Sequence, residues 1–120
     1  MKATTLVQGY QKDLDTLASN LISSVNSLHK SGYGLDGATG RDFFVGASAA
    51  TIGVSPTVLS NVNTIAAAAA PTPPNLPAAG NGDNARAIAA LNSQAVIGAS
   101  TLNEYYNAKV AAVGADSQTF

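Results

Sequence analysis

At 120 residues, with 46% hydrophobic side chains but only 6% aromatic ones, the chain can build one modest core filled by Leu, Val, Ile and Ala, and large pockets are not expected. Six Lys and Arg against seven Asp and Glu leave a net charge of −1, too weak a field to steer nucleic acid or an anionic membrane, so neither is expected as a partner. The absence of cysteine excludes disulfide frameworks, cysteine nucleophiles and thiolate metal sites, and no apolar run approaches a signal-peptide core or the ~18 residues of a membrane span.

From Val7 onward, Tyr10, Leu14, Leu17, Ala18, Leu21, Val25 and Leu28 recur at steps of three and four, which places them on one face of a helix spanning residues 4–31. Val7, Leu14, Leu21 and Leu28 are spaced by sevens. Tyr10 and Leu17 fill the alternate seam, and Ser24 interrupts it beside Val25. The period suits both an ordinary amphipathic core helix and a stave of a longer bundle. Gln11, Asp15, Ser19, Asn26 and Lys30 form the opposite, solvent-facing side, with Lys30 placed to suit the helix dipole and Gly32 to end the helix. A helix of this length depends on partners, because propensity alone barely offsets the entropy of ordering it.

Gly32 to Gly40 is rich in glycine, and Gly32-Tyr33-Gly34-Leu35-Asp36-Gly37 matches G-x-G-x-x-G literally. A dinucleotide loop must lie between a strand and a helix, so that the helix amides hold the pyrophosphate. Here it follows a helix, and the glycines read as a cap and turn with positive backbone angles. Asp36 and Asp42 lack the spacing of a calcium loop. Residues 32–55 are therefore a Gly-rich turn followed by two short strands, Asp42 to Val45 and Thr51 to Ser55, which can pair as a ribbon.

Residues 56–70 read as short helical turns, with Pro56 opening the first, Ser55 capping it, and Thr64 to Ala70 forming another. Pro71, Pro73, Pro74 and Pro77 make residues 71–82 an extended linker. A helix over 83–97, capped by Asp83 or Asn84, presents Ala85, Ile88, Ala89, Leu91 and Ala95. Thr101-Leu102-Asn103-Glu104 is a capping box that opens a helix over 101–114 or beyond, with Leu102, Tyr105, Tyr106, Lys109, Val110 and Val113 at helical spacing.

The expected fold is a single, mainly α domain: a small helical bundle in which the long first helix packs on two C-terminal helices, with a short β-ribbon and a Pro-rich loop. The expected core is Tyr10, Leu14, Leu17, Leu21, Val25 and Leu28 against Ile88, Leu91, Leu102, Tyr106, Val110 and Val113. No catalytic, cofactor or metal set is expected. His29 is the only histidine, which excludes a multi-histidine site, and it reads as an exposed or half-buried helix residue. Asp13 and Asp15 point apart on a helix, Glu104 belongs to its cap, and Tyr105 and Tyr106 lack the basic neighbours of a nucleic-acid stacking platform.

Taken in order, Leu14-Asp15-Thr16-Leu17-Ala18-Ser19-Asn20-Leu21, Val25-Asn26-Ser27-Leu28-His29, Gly32 to Gly37 and Asp42-Phe43-Phe44 resemble the bacterial flagellar hook-associated protein 1 family, the first hook–filament junction proteins. Ile52-Gly53-Val54-Ser55-Pro56, Gly82-Asp83-Asn84-Ala85 and Glu104-Tyr105-Tyr106 extend the resemblance. It implies an extracellular, non-enzymatic axial component of the flagellum, exported by the flagellar type III route without a cleaved signal peptide. Its partners would be the hook protein, the second junction protein and further copies of itself. Family members carry long terminal helices that form the inner tube, and these are not seen here, so the resemblance implies an internal piece of the helical domain outside that tube, monomeric on its own. The rival reading is a small secreted adhesin or effector-type module, gripping a partner through the Pro-rich loop or exposed tyrosines.

Overall fold

The computed structural model describes residues 2–69 and 81–119, so residues 71–80 of the expected linker lie outside the described part. Its spine is α1 (Lys2–Ser31), about 45 Å long at 1.5 Å per residue, in a molecule measuring 61 × 26 × 17 Å. Helix α4 (Leu102–Thr119) lies antiparallel along the N-terminal half of α1. The C-terminal half is covered by a layer of short elements. These are β1 (Phe44–Val45) paired antiparallel with β2 (Gly53–Val54), then α2 (Pro56–Ser60), a 3-10 turn at Val62–Thr64, and α3 (Asp83–Ala89) running into a 3-10 turn at Ala90–Ser93. The fold is mainly helical, with the long helix packed on the C-terminal helices and one small ribbon, as the residue pattern requires.

The buried stripe on α1 is Ala18, Ile22, Val25 and His29, at steps of four, three and four; Val58, Ala66, Ala68 and Leu91 complete the buried apolar core. Leu21 and Leu28, expected on that stripe, are half-buried, one residue to the side. The cause is the wrapping of α1: α4 covers one arc of the first half, whereas the loop layer and α3 cover a neighbouring arc of the second. The buried arc therefore turns about the helix axis, and no single heptad seam follows it.

His29 is fully buried rather than exposed. Its Nε2 accepts the Ala66 N–H at 2.9 Å, which puts the ring proton on Nδ1, and Nδ1–H donates to the Arg41 carbonyl at 2.6 Å. Phe43 packs edge-on at 5.6 Å between ring centroids. One imidazole thus ties the helix to two loop segments that cross it. Two amides repeat the device. Asn26 Oδ1 accepts from the Phe43 and Phe44 N–H groups and its Nδ2 donates to the Phe44 carbonyl, so this residue turns inward and leaves the solvent face expected for it. Asn84 Nδ2 donates to Ala66 O at 2.6 Å and Leu28 O at 3.1 Å, which satisfies one of the last carbonyls of α1.

Local expectations changed where tertiary hydrogen bonds compete with local ones. Residues 65–69 do not continue a helical turn: Tyr33 and Ala68 exchange both backbone hydrogen bonds, and the Ala66 and Ala67 groups bond to His29, Asn84 and Ala85. Ser55 stands at the start of α2 but makes no side-chain cap, and it is buried. Neither Asp83 nor Asn84 caps α3; Asn81 Oδ1 accepts the Asp83 N–H, and Ala67 O accepts from both Asn84 and Ala85. That helix ends at Ala89, and its 3-10 extension stops at Ser93, short of residue 97. The capping box forms as expected, with Thr101 N–H to Glu104 Oε1 at 2.8 Å and Glu104 N–H to Thr101 Oγ1 at 3.1 Å, and α4 continues through Gly114 to Thr119. Gly37 and Gly40 have positive φ, as a turn demands, but Gly32 does not. It is glycine because a Cβ there would collide with Asn84 Nδ2 and Ala66 O.

Replacing His29 with Leu keeps the apolar volume but strands a buried N–H and a buried carbonyl. Chemical denaturation is expected to show a loss of about 2–4 kcal/mol. Gly32→Ala should cost about 1–3 kcal/mol through overpacking. Gly9→Ala, in mid-helix with no atom within 4 Å of the new Cβ, should stabilise by about 0.5–1 kcal/mol in the same assay.

Candidate interaction surface

Along the first half of α1 the main packed element is α4, and two helices in contact leave much of each apolar face open. Polar contacts hold the pair in register. Tyr10 Oη donates to Asp116 Oδ2 at 2.9 Å, and Lys109 Nζ lies 3.6 Å from Asp13 Oδ1 and 5.0 Å above the Tyr105 ring. Between them runs a groove of about 210 Å3 lined by Leu14, Leu17, Tyr106, Val110 and Val113.

The expected packing residues divide by position. Val25 and Leu91 are buried; Tyr10, Leu17, Leu21, Leu28, Ile88 and Leu102 are half-buried. Leu14 and Tyr106 are each 48% exposed, Val110 50% and Val113 41%, so these four line an open groove and not a sealed core. Val7, at 52%, continues the stripe toward the start of α1. Periodicity identified the apolar face but carries no information about how many neighbours cover it. Ile22, Asn84, Val58 and the Ala66–Ala68 segment were missed. Ile22 sits on the 18-22-25-29 run, a helical period hidden because its last member is a histidine.

The remaining carboxylates are engaged structurally. Asp36 forms a two-pronged pair with Arg41, at 2.8 and 2.6 Å, and those bonds hold its carboxyl below the ordinary carboxylate range. Asp15 Oδ1 accepts the Ala49 N–H, and Lys30 pairs with Asp42 at 3.2 Å. Among the described residues no group of three His, Asp or Glu could hold a metal ion, and no helix is long and apolar enough to cross a membrane. Partial burial, then the hydrogen bond and negative charge of Asp116, raise the Tyr10 phenol above its ordinary value of 10.0.

A half-covered helix pair locked by polar clasps leaves an apolar surface of a shape that suits packing against a further helix. Residues 2–44, which span α1, the glycine turn and the start of β1, match the family model of the flagellar hook-associated protein FlgK helical domain, so the resemblance read from the residues is borne out over that stretch. Over that stretch the chain is similar to the helical domain of a flagellar hook-associated protein, a family of structural flagellar proteins. Comparison with curated proteins and with solved structures gives no match.

The Tyr10 clasp makes the α1–α4 pair sensitive to alkali. The folded chain holds the phenol proton more tightly than the unfolded one, so this contribution is complete below about pH 10 and is lost as pH rises through the raised folded value. Thermal melts across that range should show a steeper alkaline fall for the parent chain than for Tyr10→Phe.

Proposed function

We propose that this chain is part of the junction that couples hook to filament, a non-enzymatic segment that transmits load by side-by-side packing of helices. The observation that carries the reading is the match of residues 2–44 to the FlgK helical domain, which includes the whole of α1. The exposed stripe of Val7, Leu14, Tyr106, Val110 and Val113 supports it, because apolar residues at helical spacing on two adjacent helices suit a further helix laid along them. In this reading the protein leaves the cell by the flagellar type III route without a cleaved signal peptide. It then assembles outside the cell with the hook protein, the second junction protein and copies of itself, whereas the isolated segment is monomeric.

Antibodies raised against the 120-residue chain and applied to intact flagella of the encoding bacterium test this directly by gold labelling. Label confined to the boundary between hook and filament is expected. Label along the filament shaft, or over the cell body as for a secreted adhesin, would overturn the junction assignment.

A further inference from the structure

Asn81-Gly82 is the one Asn-Gly step in the sequence; every other asparagine precedes a residue that carries a side chain. It stands where the chain enters α3. Asn81 Oδ1 accepts the Asp83 N–H at 3.0 Å, so the side chain folds back toward the start of α3. Neither residue is buried, and the direction in which a Cβ would leave Gly82 is open, with no atom within 4 Å. The Gly82 nitrogen and the Asn81 side-chain carbon are joined through the chain itself, so their reaction has the advantage of being intramolecular, and no Cβ at position 82 obstructs it.

We propose that Asn81 is a site of spontaneous deamidation. The Gly82 amide nitrogen, after losing its proton to solvent base, attacks Asn81 Cγ. The new C–N bond closes a five-membered succinimide ring, and the side-chain nitrogen takes up a proton from solvent and leaves as ammonia. Water then opens the ring at either carbonyl, leaving aspartate or isoaspartate at position 81. The aspartate product keeps the Asp83 N–H bond in charge-assisted form. The isoaspartate product adds one backbone carbon three residues before Asn84, whose amide holds Leu28 and Ala66, and so loosens α3 against the end of α1.

The test is storage of the complete chain in warm, mildly alkaline buffer, with tryptic peptides sampled by mass spectrometry and labelled with an isoaspartate-specific methyltransferase. A gain of about one dalton is expected first at residue 81, with both products present. Gly82→Ala should slow that gain by about tenfold or more, since a Cβ crowds the attacking nitrogen. The open space around Gly82 and its φ of −110° let this variant fold, which an unchanged melting curve checks. A gain appearing first at another asparagine, no gain at all, or equal rates in the parent and Gly82→Ala would overturn the assignment.

Discussion

Three stretches of chain far apart in sequence converge on the imidazole of His29: the last turns of α1, the Arg41–Phe43 loop and the extended Ala66 segment. Buried hydrogen bonds are strong in a low-dielectric interior and expensive to leave unmade, so a ring with one donor and one acceptor, both used, fixes the positions of both loop segments against the helix. Where the Ala66 segment crosses the end of α1 the residues are small. Ala66 and Ala68 are almost fully buried, and Gly32 has no room for a side chain. The alanines at 66 and 68 reflect this close approach more than any helical propensity.

Asn26 and Asn84 extend the same principle to either side. A layer made of two-residue strands, a five-residue helix and 3-10 turns has little regular hydrogen bonding of its own, and an isolated two-stranded ribbon is marginal in water. Side-chain amides from α1 and α3 supply the missing partners for its backbone. The long helix thus acts as a template on which otherwise unstable segments become ordered.

The two halves of α1 are stabilised differently. Its C-terminal half is bolted by buried polar groups inside a small apolar shell. Its N-terminal half packs chiefly on α4, through a half-open apolar groove pinned at the Tyr10–Asp116 and Asp13–Lys109 contacts. An open groove beside a closed core suits the proposed packing of a further helix, because the surface left uncovered is already shaped and apolar.

Local chemistry was legible where its partners are near in sequence. The extent of α1 follows from its 3.6-residue period, the start of α4 from Thr101 and Glu104 meeting across one turn, and the ribbon from two β-branched and aromatic runs flanking a short turn. The tertiary structure alone decided which arc of α1 is buried, why Ile22 and His29 replace Leu21 and Leu28 on it, and why Leu14, Tyr106, Val110 and Val113 line a groove. It also overruled the caps expected at Ser55, Asp83 and Asn84. The reason is physical: a period records that a face is apolar, but burial depends on what lies across it, and a lone histidine or asparagine goes inside when distant backbone groups supply partners for its hydrogen bonds.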